Sequence, residues 1–577
     1  MESKNLILAI TLSVGILLIW SILFEAPPIE DSSINNQATQ IKKEESKKET
    51  DLDFNSFDIG ETIVNSSEDI LSVDESLKNS QRIKIKTPSL SGSINLLGLK
   101  IDDLVLEKYN KTLEANSEKI RFLSPGDTRD GLEISFGWIK PKDSSFDVPD
   151  SKSLWSVSNS STTLDENNEI ILEWSNNSGQ TFQTFISVDK DYLFNVKQVV
   201  KNNSSEEIII NNNSKVIRKK APQLSGMFIL HEGPIGVLQE ELELIDYDDL
   251  KEDKDVLNYE SDNGWIGITD KYWLAALIPD QNIPFKSIYA YDDNLGYVAY
   301  FRSLDSYSVK PNTKIEIDSK VFAGAKEADL LDLYQEKYNI YNFDLAIDWG
   351  WFYFITKPLF YAISYFYQLF GNFGIAIIIL TVITRIVFFP LANWSFVSMA
   401  KMKLLQPEMT RIKDLYKDDR QQQQQALMAL YKKEKVNPVS GCLPILIQIP
   451  FFFAIYKMLF ISIEMRHAPF YGWIEDLSVK DPTTIFNLFG LIPWDPPSFM
   501  IIGIWPILMG LTMYLQQKLN PAPPDPIQAK IFSFFPLFIT ILLSQFAAGL
   551  VIYWTTNNIL SILQQWIITR RTKIKTN

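Results

Sequence analysis

Hydrophobic and polar positions along the chain follow two different rules. Residues 6–24 (LILAITLSVGILLIWSILF) form one unbroken apolar run, long enough at about 1.5 Å per residue to cross a hydrocarbon core of about 30 Å. Further apolar runs occupy residues 373–391, 443–463, 499–515, 531–546 and 550–568. Between the first run and these, residues 81–321 alternate short apolar and polar positions, split by turn residues such as Asn176-Asn177-Ser178-Gly179 and Asp189-Lys190-Asp191. The long runs predict membrane-spanning helices. The alternation, as in residues 170–174, 181–188 and 192–200, predicts a large antiparallel β domain whose many strands favour a sandwich.

These patterns divide the chain. Residues 1–25 read as an N-terminal transmembrane anchor, because the flank Glu25-Ala26-Pro27-Pro28 lacks a small-x-small cleavage site. Residues 26–80 are rich in Ser, Asn, Lys and Glu and read as a flexible linker, too polar to offset chain entropy by burial. Residues 81–345 make the β domain, and the aromatic-rich residues 349–370, with Lys357 and Pro358, an amphipathic helix lying at the membrane interface. Residues 371–568 hold the later spans, interrupted by a polar loop at 392–440, and residues 569–577 form a basic tail. The N-terminal anchor and five later spans make six.

Charge orients this layout. The loop carries Lys401, Lys403, Arg411, Lys413, Lys417, Arg420, Lys432, Lys433 and Lys435 against fewer acids, and the tail carries Arg570, Arg571, Lys573 and Lys575 with none. An excess of Lys and Arg marks the cytoplasmic side, so the loop and both termini are placed inside and the β domain outside. The overall net charge of −15 hides this segregation. Within the loop, Met399, Met402, Leu405, Met409, Ile412 and Tyr416 recur at helical spacing, Lys417-Asp418-Asp419-Arg420 supplies a turn, and residues 421–435 return as a second helix. The resulting hairpin presents Lys401, Lys403 and Arg411 to a ribosome, to anionic lipid or merely to solvent. Its methionines suit variable apolar partners.

One charge departs from the apolar pattern. Arg385 sits inside IAIIILTVITRIVFFP (residues 375–390), where a full charge costs several kcal/mol on insertion scales. Either it faces a polar intramembrane site, or its long stem reaches water at the cytoplasmic end near Pro390. Lys457 poses the same question in its own span, with snorkelling toward the outer interface near Glu464 as the preferred reading over a place in such a site. The lone Cys442 excludes a disulfide framework, and His231 and His467 are too far apart in sequence to suggest zinc. No Gly-rich phosphate loop, G-x-S-x-G elbow or H-E-x-x-H pair occurs, so neither a cofactor nor a metal is expected.

The segments Ser398-Met399-Ala400-Lys401-Met402, Leu405-Gln406-Pro407, Leu430-Tyr431-Lys432-Lys433-Glu434-Lys435-Val436-Asn437-Pro438 and Gly441-Cys442-Leu443-Pro444 resemble the YidC membrane protein insertases of the Oxa/Alb family. The likeness continues through Gln448-Ile449-Pro450-Phe451, Arg466-His467-Ala468-Pro469-Phe470 and Gly549-Leu550-Val551-Ile552-Tyr553-Trp554. Residues 89–106 look like the start of the β-supersandwich of the family's Gram-negative form. The resemblance implies a polytopic α-helical protein of the bacterial inner membrane, with five helices forming an insertase core, a periplasmic β-supersandwich domain and a cytoplasmic helical hairpin. It implies transfer of nascent membrane proteins into the lipid bilayer, alone or beside the Sec translocon and its accessory subunits, without nucleotide hydrolysis, DNA or a small-molecule substrate. The family's intramembrane arginine maps onto Arg385. Thr381 on the same helical face, with Gln448, Trp554, Asn557 and Asn558 from other spans, would complete a hydrophilic groove.

Two other classes compete. A secondary transporter also uses an intramembrane Arg and broken helices, as Pro444, Pro450 and Pro506 suggest, although no internal repeat relates two halves. An outer-face carbohydrate-active enzyme on the β-sandwich would need paired carboxylates converging in a cleft.

Overall fold

The computed structural model describes residues 70–576, apart from 115, 160, 225–229, 254–255, 351, 418, 435, 437–442, 491, 495, 498–500 and 521–525. The expected anchor at 1–25 and most of the linker at 26–80 lie outside the described residues.

A short helix α1 (Val73–Lys78), closed by a capping box between Ser72 and Glu75, leads into the first strand. The strands then build two sheets, of eleven and nine strands among the described residues. At the middle of one, Ile208–Arg218 pairs antiparallel with Leu132–Ile139 and with Gly296–Ser303. In the other, Leu193–Asn202 lies between Gln180–Val188 and Thr313–Ala325, again antiparallel. Period-two patterning puts Phe182, Phe194, Trp265 and Phe322 inside, each fully buried. A second short helix, α2 (Tyr247–Asp253), packs over the strands Phe285–Asp292 and Gly296–Ser303, Tyr247 meeting Tyr297 edge-on. The apolar cluster between the sheets runs on without a break into the helical region, through Phe343, Trp349, Phe360, Ile377 and Met458.

The passage from sheets to helices is tied by charge as well. Helix α3 (Ala328–Tyr338) and a 3-10 turn at Phe343–Ala346 follow the last strand. Helix α4 (Tyr353–Phe370) comes next. Its Lys357 pairs with Asp344 at 2.7 Å and with Asp332 at 3.1 Å, and its Tyr361 hydroxyl donates to Asp332. The N-terminus of α3 lacks a side-chain cap of its own, and Glu464 supplies one from a distance, accepting from the Ala328 N–H at 3.0 Å. Burial pushes the Glu464 carboxyl up to about 7, and its Oε2 has no hydrogen-bond partner among the described residues.

Gly371 ends α4 in the left-handed region (φ 68°), its N–H donating to Tyr367 O at 2.7 Å. Asn372 at once caps α5 (Phe373–Val387) by accepting from Ile375 N at 3.1 Å. A C-cap followed directly by an N-cap makes a corner. Helix α6 (Phe389–Leu404) then leaves α5 at a bend of 67°. The apolar run 373–391, expected as one span, therefore turns at Phe388. Pro390 in the first turn of α6 has no N–H to carry the α5 hydrogen-bond ladder across the junction. The methionine stripe is divided in the same way, between α6 and α7 (Gln406–Leu415), where Pro407 occupies the first turn.

Helix α8 (Arg420–Lys433) returns along α7, with Gln423 Nε2 donating to Lys413 O at 3.2 Å. Helices α9 (Leu443–Ile461), α10 (Ile504–Leu519), α11 (Pro526–Leu543) and α12 (Ala548–Thr576) complete the chain. Among the described residues no single helix is by length and composition apolar enough to cross a membrane, whereas the bent pair α5 and α6 together is.

Candidate functional site

Arg385 lies in the last turn of α5, three residues before the bend. Its Nε donates to Asn557 Oδ1 at 2.6 Å, and its Nη2 reaches Gln448 Oε1 at 3.2 Å and Asn557 O at 3.3 Å. Gln564 Nε2 donates to the Arg385 carbonyl at 3.3 Å. Three elements thus hold one guanidinium: α5 carries it, α9 supplies Gln448, and α12 supplies Asn557 and Gln564 two turns apart. The residues enclose an open recess of about 450 Å³. Arg385, Gln448 and Asn557 give it polar walls, and Phe388, Leu391, Phe451 and Tyr553 apolar ones. Phe388 meets Phe451 edge-to-face at 5.2 Å, so the bend itself helps to shape the wall.

All the oxygens bound to this guanidinium belong to neutral amides. Among the described residues no carboxylate pairs with Arg385. A half-buried cation satisfied by dipoles alone keeps its charge available to an anion that enters the recess.

The structure brings Arg385, Gln448 and Asn557 together and turns the other groove candidates elsewhere. Thr381 is 1% exposed and donates to Ile377 O at 2.6 Å, so this hydroxyl is satisfied on its own helix. Asn558 Nδ2 donates to Thr512 Oγ1 at 3.2 Å and ties α12 to α10. Trp554 packs edge-on against Phe452 at 4.8 Å, beside Met509 and Val551. Tyr553, which with Trp554 was expected to line a substrate path, does line the recess, whereas sequence reasoning passed over Thr384 and Gln564. Helical spacing offered a signal for the last, since Gln564 follows Asn557 by two turns.

Around the α6–α8 segment, Lys401, Lys403 and Arg411 are exposed. Arg411 lies 3.5 Å from Glu408, and Lys403 reaches the Leu519 carbonyl at 3.5 Å. Met399 is buried with Ala392, Phe396 and Ile568, Met402 is half-buried, and Met409 is buried under Tyr431, whose hydroxyl lies 3.8 Å from its sulfur. Two of the methionines therefore fill internal contacts.

Lys457 is placed by Asp348, 2.6 Å away on the link between the 3-10 turn and α4. It belongs to the seam between sheets and helices.

Family models cover both halves of the chain: "YidC periplasmic domain" matches residues 82–362 and "60Kd inner membrane protein" residues 365–576. A relative from Pelagibacter ubique, "Membrane protein insertase YidC", is 48% identical over 579 residues, covering 100% of both chains. Its namesake from Rickettsia felis is 47% identical, over 98% of this chain and 99% of its own length. A crystal structure described as "Active YidC insertase crystal structure with the first transmembrane domain resolved" overlaps 84% of this chain and 92% of its own, with 17% identity and a TM-score of 0.35.

Proposed function

The chain belongs to the YidC family of membrane protein insertases, and on that premise we propose that the Arg385 recess is the place where a client's polar tail enters the bilayer. Membership makes it an inner-membrane insertase with a periplasmic β-sandwich domain, acting on nascent membrane proteins. The observation that carries the finer reading is the half-buried guanidinium held by neutral oxygens.

In this reading the chain has six spans, five of them forming the insertase core, with both termini and the α6–α8 segment in the cytoplasm. The excess of Lys and Arg in that segment and in the tail supports the orientation. A client's acidic leading tail approaches Arg385 from the cytoplasm. At an effective dielectric of about 20, a pair about 4 Å apart is worth about 4 kcal/mol, enough to favour entry without fixing the client in place. The apolar segment then passes into lipid, driven by burial at about 25 cal/mol per Å², and no nucleotide hydrolysis by this chain is required. Exposed Lys401, Lys403 and Arg411 suit contact with a ribosome. The Sec translocon and its accessory subunits are further partners in this scheme, resting on the family resemblance alone.

The test is reconstitution of the full chain in liposomes with a single-span client carrying an acidic leading tail. Protease protection above empty vesicles by the wild type, lost in Arg385→Ala, supports the recess. Protection unchanged in Arg385→Ala would assign the work to hydration and shape instead of this charge.

A further inference from the structure

The connection between α9 and α10 holds an apolar feature that the insertion site does not use. Residues 482–494 (PTTIFNLFGLIPW) contain no charged side chain. Ile485, Phe486, Leu488, Phe489, Ile492 and Trp494 are each between 39% and 52% exposed. Six large apolar side chains on one short connection are not the scattered exposure of an ordinary surface.

The connection is built rather than loose. At its base Asp481, 1% exposed, accepts from Trp473 Nε1 at 3.1 Å, from Thr483 N at 3.0 Å and from Trp505 N at 3.0 Å, so one carboxylate holds both the loop and the start of α10. At its tip Leu488 (φ 50°) and Phe489 (φ 58°) both adopt the left-handed region, which bulky residues enter only where their surroundings compel it. The backbone around this turn is paired within the loop: Leu488 N donates to Ile485 O, Phe489 N to Thr484 O, Ile492 N to Asn487 O and Trp494 N to Ile492 O. A loop bathed in water has no need to satisfy its own amides, whereas one leaving water must.

Its position says which apolar phase it meets. The stretch that leads into it touches the β domain, through Glu464 on Ala328 N and through Arg466 Nη2 on the Asn110 carbonyl at 2.7 Å. The connection therefore sits at the periplasmic end of the helices, between two of the proposed spans. Exposed Tyr471 and Trp473 flank it, the residue types that collect where headgroups meet acyl chains. Irregular backbone does not persist in the hydrocarbon centre, which limits the depth. We infer that residues 485–490 with Ile492 and Trp494 form a wedge inserted into the periplasmic leaflet at the headgroup–acyl boundary, with lipid as the occupant of its apolar face.

The inference rests on reading α9 and α10 as spans, so the experiment tests the two separately. In a Cys442→Ser background of the full chain in liposomes, Phe489→Cys, Ile485→Cys and Leu511→Cys each carry an environment-sensitive fluorophore. Leu511, 54% exposed on α10, reports the span. The expected result is that nitroxides placed shallow in the acyl chain quench the labels at 489 and 485, that deep nitroxides quench the label at 511, and that aqueous iodide quenches none. Iodide quenching at 489 and 485 with lipid quenching kept at 511 overturns the wedge and leaves the span standing. Absence of both kinds of quenching at 489 and 485 also overturns it, because protein then covers the face. Loss of lipid quenching at 511 overturns the span reading and the wedge with it.

Discussion

Lys457 Nζ stands 2.6 Å from Asp348 Oδ2, joining the C-terminal part of α9 to the link that follows the β domain. The two positions are 109 residues apart in the chain, and both side chains are largely withdrawn from water. Removing one partner of such a pair leaves a charge without compensation, a cost of about 3 kcal/mol. Asp348→Ala is accordingly expected to lower the unfolding midpoint in detergent, and Asp348→Asn with Lys457→Met to recover most of the loss. A double variant no more stable than Asp348→Ala would show that the ion pair is not the source.

Asn557→Asp places a carboxylate where Arg385 Nε now meets a neutral oxygen at 2.6 Å. The internal ion pair should satisfy the guanidinium and compete with an acidic client. With about 4 kcal/mol available to such a pair, insertion of an acidic-tailed client should fall by at least about tenfold, while a neutral-tailed client is much less affected. Equal losses for both clients would point to misfolding.

Glu464 makes the seam between α3 and the helices sensitive to pH. Its pKa in the folded chain, about 7, lies above the ordinary carboxyl value, so the folded state binds the extra proton between them. Stability from this group is present below the unfolded value and is lost as pH rises toward 7, by up to about 3 kcal/mol. Burial holds the Lys271 and Lys326 ammonium groups down to about 8. Their effect has the opposite sign and lies above that pH; between pH 5 and 7 Glu464 is opposed by His467, whose imidazole burial and Arg466 hold below its ordinary value. Unfolding midpoints measured across that window should decline in the wild type, whereas in Glu464→Gln they stay level or rise slightly through His467. A Glu464→Gln slope matching the wild type would assign the dependence to other groups.

Gly371→Ala tests the corner between α4 and α5. The added methyl meets nothing within 4 Å, so the only cost is that of holding alanine at φ 68°, about 1 kcal/mol. A small fall in midpoint with client insertion retained is expected. A large fall would mean that the corner is packed more tightly than its open surroundings indicate.

The β domain and the apolar helices were legible because each rests on local periodicity. So was Arg385 as an anomaly, since a charge in an apolar run stands out whatever surrounds it. The bend at Phe388 was hidden because Phe388 and Phe389 continue the hydrophobic run without a polar break. In the sequence Pro390 marks the end of a span, whereas in the structure it opens the next helix at a new angle. Thr381 shows the limit of spacing arguments: four residues from Arg385 it shares a helical face, yet its hydroxyl is spent on Ile377 O. The Lys457–Asp348 pair joins residues too distant in the chain for any periodicity to relate them.

The bend between α5 and α6 also fixes how much of the bilayer this part of the chain can fill. Helix α5 has 15 residues, which rise about 22 Å, some 8 Å less than the usual hydrocarbon thickness. The 16 residues of α6 rise about 24 Å, and at a departure of 67° they add about 9 Å along the α5 axis. In the proposed orientation the two helices together match the hydrocarbon thickness of about 30 Å, so the corner between them, and not the end of a span, lies beside Arg385. Under the proposed insertion scheme, a client's polar tail that reaches Arg385 meets a corner between two helices, with a wall on each side of the guanidinium.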